Sequence, residues 1–317
     1  MKISKLAIIG LGHVGSSVLV QAMAMNLAAE IVCIDINEKV AQGEALDATH
    51  ATACTYVPGM KVYSGDFSQC KDADVIICAG GPSILPGEKL DRLVLAERNI
   101  KVISEIITEV TKYTKNTPFI MITNPLDVTT YLAATRFGYE KGKLFGTGTT
   151  LETLRLKRII ANHYNVDAKD VQGFMLGEHG NSSFPAWSTI SIGGVRLNDL
   201  DKYYEHKTIF DKQKIAQEVV NTAYDVLLYK GWTNTGIAMG ACRLARAVLF
   251  NERCITPVST PLEGEYGLNN VALSLPSIIG INGVEQRLAI ELPKEELKAL
   301  QFSAKSIQAV LKANKLI

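Results

Sequence analysis

The stretch LAIIGLGHVGSSVLV, residues 6–20, decides how this chain is built. It begins as a short apolar, branched run of strand length and continues with apolar residues at three- and four-residue spacing, the period of a helix. At the corner between them Gly10, Gly12 and Gly15 stand as GxGxxG. In that setting the first glycine permits a tight turn, the second lets backbone approach a pyrophosphate, and the third packs the helix on the strand. The helix start adds unpaired N–H groups and the positive end of a dipole. A glycine motif alone means little, but the next apolar run, EIVCID at residues 30–35, ends in Asp35, twenty residues past Gly15. A carboxylate there bonds the adenosine ribose hydroxyls and repels a 2′-phosphate, so NAD is favoured over NADP. The alternative is that Asp35 only caps its strand. The motif specifies a dinucleotide, not a reaction.

Working outward, further strand-like runs fall at residues 60–65, 73–80, 118–123 and 143–146, and helical patterns lie between them, such as Val14–Met25 and Leu93–Tyr113. Strands alternating with helices predict parallel strands joined by crossover helices. The expected fold is therefore α/β, with an N-terminal Rossmann doubly wound parallel sheet over residues 1–146. After Thr147 the rhythm changes. Helices are expected over 149–163, 207–229 and 234–250, hairpin-like strands over 171–196, strands near 271–281 and 284–291, and an amphipathic helix after Pro293. This second half, 147–317, is expected to be an α+β catalytic or substrate domain.

The chain has 317 residues, 47% hydrophobic and 21% charged, which is enough apolar side chain for a sizeable core. Its 33 basic and 32 acidic residues are mixed along the sequence, so neither nucleic acid nor a membrane surface is called for. No run reaches the length of a membrane-spanning helix. The first residues, interrupted by glycines and without a small-residue cleavage site, resemble a first strand more than a signal peptide. Six cysteines with no CxxC pair suggest reduced thiols and a cytoplasmic protein, and no metal site is expected.

The second informative block is GEHGNSSFPAWS, residues 177–188. A lone histidine is more often packed or solvated than catalytic. His179, however, follows an apolar run and sits among small residues, at a strand end where its ring can face a cleft. If the reaction is hydride transfer to or from a hydroxy acid, one group must gain and lose a proton near neutral pH. A carboxylate should orient it, an arginine should grip the substrate carboxylate with two parallel bonds, and a second cation should polarise the carbonyl. Glu152 and Arg155, three residues apart in TLETLRLKR, share a helix face, and Arg92 follows GGPSILPGEKLD, a loop composed like a mobile lid. A different oxidoreductase on the same fold would account for the glycine motif but not for Asn124, Arg155 and His179. A binding module that had lost catalysis would have no use for His179.

GLGHVG, AGG, DRLVLAERN, ITNPLDV, GTGTTLETLR, GEHGNSSFPAWS and KGWTNTGIAMG resemble, in order and across nearly the whole chain, the blocks of the L-lactate/L-malate dehydrogenase family. The resemblance implies an NAD-dependent L-2-hydroxy acid dehydrogenase with His179 as acid/base, Glu152 as its partner, Arg155 as anchor of the substrate carboxylate, and Arg92 as the lid arginine. It implies Asn124 as a contact to substrate and nicotinamide ribose, and Thr233 and Ile237 beside substrate and nicotinamide ring. His13 and Val14 in the glycine turn, and Ala79 and Gly80 in AGG, join Gly10, Gly12, Gly15 and Asp35 in the cofactor site. The family usually has aspartate where this chain has Glu152, so either the longer side chain pairs with His179 or another group does.

In this family the lid selects the substrate. Malate dehydrogenases place an arginine there and lactate dehydrogenases a glutamine, whereas alignment on PG puts Ile84 in that place, beside Ser83 and Leu85. The lid looks about two residues longer than usual and resembles that of L-2-hydroxyisocaproate dehydrogenases. Pyruvate is expected first, with bulkier aliphatic 2-oxo acids next. The resemblance also implies a homotetramer. Where relatives activated by fructose 1,6-bisphosphate hold an arginine and a histidine, this chain has Lys157 and Thr189, which weakens any such site.

Overall fold

β1 (Lys5–Ile9) is buried along its whole length, as a strand covered on both faces must be. In the computed structural model, which describes residues 4–54, 59–82, 92–206 and 208–317 with residues 92 and 93 by backbone alone, the chain then runs through α1 (His13–Ala24), β2 (Glu30–Ile34), α2 (Glu38–Ala51), β3 (Lys61–Ser64) and β4 (Val75–Cys78). α3 (Arg92–Val110), β5 (Phe119–Met121), α4 (Leu126–Arg136), β6 (Leu144–Gly146) and α5 (Thr150–Tyr164) follow. The short strands β7 (Val171–Gln172), β8 (Met175–Leu176), β9 (Phe184–Pro185), β10 (Ser191–Ile192) and β11 (Val195–Arg196) lead to α6 (Lys212–Lys230) and α7 (Thr235–Leu249). β12 (Cys254–Glu263), β13 (Asn269–Gly280), β14 (Gly283–Arg287) and α8 (Lys294–Ala313) complete the described elements.

The six N-terminal strands are parallel, and β1 lies between β2 and β4. The winding direction reverses at β1, so a crevice opens at the carboxyl ends of β1 and β4, where doubly wound folds take their ligands. Side chains of β1 alternate between two cores, as a pleat of period two requires. Leu6 and Ile8 pack with α1 and α7, whereas Ala7 and Ile9 pack with α3 and the Leu126–Ala133 stretch of α4. A helix from the second half of the chain thus covers one face of the first half's sheet.

The sheet does not stop at β6. It continues antiparallel through β12, β13 and β14 into nine strands among the described residues, β12 meeting β6 at Ser259 opposite Gly146. The sequence reading separates the expected strands near 271–281 and 284–291 from the first sheet. The structure joins them to it, ends the last one at Arg287 and starts α6 at Lys212 rather than at 207. β12 has no counterpart in that reading, because Pro257 and Pro261 argue against a strand. Pro257 lies opposite Pro276 of β13 as a pair whose backbones turn away from each other: the Pro257 carbonyl accepts from the Thr150 hydroxyl and the Pro276 carbonyl from the Leu288 N–H, so neither missing N–H breaks a bond between β12 and β13.

The fully buried Phe145 fills the sheet where its two parts meet. Phe145→Ala should cost about 3–5 kcal/mol of unfolding free energy in denaturant titration. A loss below about 1 kcal/mol would contradict a continuous packed sheet.

Candidate active site

The glycine corner is built by close approach. Gly10 has φ +86°, and a Cβ on it would lie 2.5 Å from the backbone of Gly80. A Cβ on Gly15 would lie 1.8 Å from the Gly10 carbonyl oxygen, which fixes the α1–β1 packing. Among the described residues a Cβ on Gly12 would meet nothing within 4 Å, so space lies over the turn, and Gly12, the N-cap of α1, has no side chain to bond the helix's first N–H groups. The Leu11 N–H donates to Asp35 Oδ2 at 2.7 Å and the Asn37 N–H to Oδ1 at 2.9 Å. These bonds hold the carboxylate against the turn, and each oxygen keeps a lone pair for a hydroxyl. Open space, uncapped N–H groups and a fixed carboxylate fit the diphosphate and ribose of a dinucleotide.

Two neighbouring segments close on this corner. The His13 ring stacks on Trp232 with centroids 4.1 Å apart and planes 5° from parallel, and Asn234 Nδ2 donates to Ser17 Oγ at 2.8 Å. These contacts place half-buried Thr233 and buried Ile237 at the same end of the sheet. Asn99, buried on α3, donates from Nδ2 to the Pro82 carbonyl at 3.1 Å and to the Asn124 carbonyl at 2.7 Å. It thereby ties the segment after Ala79 and Gly80 to the end of β5, where Asn124 is exposed.

The threonines of GTGTTLETLR seat α5. The Thr149 N–H donates to Ser274 Oγ on β13 at 3.0 Å, its hydroxyl to the Met175 carbonyl at 2.6 Å, and the Thr150 hydroxyl to the Pro257 carbonyl at 3.0 Å. The Met175 N–H donates in turn to Thr153 Oγ1 at 3.0 Å. A helix start bonded on three sides cannot slide, and Glu152 projects from it.

His179 is held just as firmly. Gly177, with φ +90°, exchanges two backbone bonds with Ser274, at 3.1 and 2.9 Å. The Glu178 N–H donates to Ser303 Oγ on α8 at 2.9 Å, and the His179 N–H to Asp127 Oδ2 on α4 at 2.7 Å. The two anchored segments bring His179 Nδ1 to 2.8 Å from Glu152 Oε1, with Glu152 buried and 17% of the His179 side chain exposed. The contact is close but off-line: Nδ1 has no well-aligned hydrogen bond, and Glu152 Oε2 has no hydrogen-bond partner among the described residues. Burial pushes the imidazole pKa down, but Glu152, and with it Asp127, outweigh burial and the opposing Arg155, so it stands above its ordinary 6.5. Burial pushes Glu152 up, and the facing His179, helped by Arg155, brings it below the ordinary carboxylate value. The site therefore favours an imidazolium–carboxylate pair.

Arg155 is half-buried, one helical turn beyond Glu152, with no ion-pair partner within 4 Å among the described residues. Arg92 opens α3, its side chain lying outside the described residues, as do residues 83–91 of the lid, Ile84 among them. The Thr189 hydroxyl is occupied within its own loop, donating to the Ala186 carbonyl at 2.7 Å and accepting from the Phe174 N–H at 3.3 Å. Sequence reasoning missed three groups: Asn99, Ser259 and Asp127, whose carboxyl accepts from Ser259 Oγ at 2.6 Å as well as from His179. The signal for Asp127 was present, an acidic residue in the apolar run ITNPLDV.

A parallel doubly wound sheet, a dinucleotide corner at its switch point and a carboxylate-paired histidine beside it define the class: a nicotinamide-dependent dehydrogenase. The chain belongs to the lactate/malate dehydrogenase family. Residues 4–146 match the family's NAD binding domain and residues 149–315 its alpha/beta C-terminal domain. The chain is 47% identical to L-lactate dehydrogenase 2 of Clostridium acetobutylicum over 98% of its own length and 97% of the relative's. It is 46% identical to the L-lactate dehydrogenase of Selenomonas ruminantium over 97% and 96%. The crystal structure of the minor L-lactate dehydrogenase from Enterococcus mundtii superposes with a TM-score of 0.92 at 34% identity, covering 98% of both chains.

Asp35→Ser with a nearby arginine added should weaken NADH binding and admit NADPH, read by fluorescence titration with both cofactors. Equal binding of the two cofactors by the unmodified protein would remove Asp35 as the ribose ligand.

Proposed function

We propose that this chain is an NAD-dependent L-lactate dehydrogenase that interconverts pyruvate and L-lactate, with residues 1–146 serving the cofactor and 147–317 the substrate. The observation that carries the reading is His179. Its Nδ1 is held against a buried carboxylate while part of the ring stays exposed, which leaves Nε2 to meet a substrate oxygen. NADH supplies the hydride when bound. His179 gives a proton to the carbonyl oxygen during reduction and takes it back during oxidation, and Glu152 stabilises the charged ring. Arg155, cationic and without an ion-pair partner among the described residues, grips the substrate carboxylate. Asn124 at the end of β5 contacts the substrate oxygen and the cofactor ribose. Arg92 polarises the carbonyl, and Thr233 and Ile237 line the nicotinamide side.

Ile84 makes the lid apolar, which suits the methyl group of pyruvate and also longer aliphatic 2-oxo acids, but not a second carboxylate. The assembly is a homotetramer in the cytoplasm. Lysine at 157 lacks the guanidinium fork and the Thr189 hydroxyl is already bonded, so fructose 1,6-bisphosphate changes the kinetics little. The reading is tested by following NADH absorbance with pyruvate, oxaloacetate and 2-oxoisocaproate. Pyruvate is expected to be the fastest substrate, and preference for oxaloacetate would overturn it.

His179→Ala should lower turnover by about 10²–10⁴-fold while NADH still binds; near-normal turnover would contradict the assignment. Reduction needs the protonated ring. With its pKa held above 6.5, kcat/KM for pyruvate should stay high past that pH and fall as pH rises through the raised value, while lactate oxidation should rise over the same range. Glu152→Asp withdraws the carboxylate from a backbone that is bonded in place for the longer side chain, so turnover should fall; a gain would contradict this.

A further inference from the structure

Asp127 is a buried carboxyl in the first turn of α4, 1% exposed, with two hydrogen bonds that lead to different elements. Oδ2 accepts the His179 N–H at 2.7 Å, and Oδ1 accepts Ser259 Oγ from β12 at 2.6 Å. It is three residues beyond Asn124 in the chain, and so couples the segment carrying Asn124 to the backbone of the histidine. An acid buried only to bind one N–H and one hydroxyl is an expensive choice. Asparagine would make both bonds with no charge to desolvate.

We propose that Asp127 is a positioning residue of this dehydrogenase, a second carboxylate whose negative charge, applied from the backbone side of His179, holds the proton on the catalytic imidazole. This rests on the assignment of His179 as the acid/base. His179 is then flanked by two acids, Glu152 against its ring and Asp127 against its main chain, with Arg155 opposing both. Burial, helped by Glu178, pushes Asp127 up to about 7, against the Ser259 hydroxyl and His179. Its charge is therefore conditional: it is ionised most readily while the ring is protonated, and the two sites titrate as a coupled pair. The Ser259 hydroxyl favours the ionised form, which gives β12, the first strand of the antiparallel extension, a direct bearing on the ring's proton.

The test is the pH profile of kcat/KM for pyruvate in the unmodified protein, Asp127→Asn and Ser259→Ala. In Asp127→Asn the introduced amide oxygen would accept the His179 N–H and the amide NH₂ would donate to Ser259 Oγ, so the substitution removes charge and keeps both bonds. The falling limb should move to lower pH by about 0.5–1 unit in Asp127→Asn, and by less, in the same direction, in Ser259→Ala. The height of the plateau is not the readout. A purely structural role would depress the rate evenly at all pH values and leave the limb in place, and that result would overturn the proposal. If Asp127→Asn fails to fold, an unmoved limb in Ser259→Ala overturns it. An unmodified protein with no falling limb would instead remove the assignment of His179 itself.

Discussion

The largely buried contact between His179 Nδ1 and Glu152 Oε1, at 2.8 Å, governs the chemistry of this site. Removing two charges from water costs several kcal/mol each, and the cost is offset only by their mutual attraction and by bonds to the remaining polar atoms. Here the second part is incomplete, because Glu152 Oε2 has no hydrogen-bond partner among the described residues. The pair thus relies on charge, not on aligned hydrogen bonds, and it survives because neither partner can move away. Thr149, Thr150 and Thr153 pin the helix of Glu152, while Ser274, Ser303 and Asp127 pin the strand end of His179.

These anchors explain why the nine-stranded sheet matters for function. Ser274 and Ser259 belong to the antiparallel strands β13 and β12, which extend the dinucleotide-binding sheet past β6. Ser274 touches both catalytic segments, accepting from Thr149 and exchanging backbone bonds with Gly177. α7 packs beside α1 on the face that carries the glycine turn, and the segment before it lies on that turn through Trp232 and Asn234. Cofactor corner and acid/base pair are therefore mounted on one continuous frame, and the precision of their placement comes from strands and helix starts instead of free loops.

Much of this was legible in the sequence, because the features concerned are local. GxGxxG with Asp35 at the end of the next strand specifies its geometry by itself, and Gly10, Gly12, Gly15 and Asp35 occupy one corner in the structure. Helix spacing placed Glu152 and Arg155 on one face, and resemblance paired Glu152 with His179. What was not legible was long-range. β12 was hidden by its prolines, and Pro257 is tolerated because it and Pro276 opposite it turn their backbone groups away from each other. Asp127 and Ser259 are 132 positions apart, and no local pattern announces that their side chains meet. The continuation of one sheet across both halves was likewise invisible, since a change of rhythm in sequence near residue 147 does not reveal which strands pair in space.

The charge state of the His179–Glu152 pair is read most directly from the imidazole pKa of His179, by NMR titration of histidine-labelled protein with the resonance assigned by its loss in His179→Gln. The ring is expected to titrate above 6.5 in the unmodified protein and to fall markedly in Glu152→Gln, where burial is left without the carboxylate that opposes it. A value at or below 6.5, or one that stays in place when Glu152 loses its charge, would contradict the imidazolium–carboxylate pair.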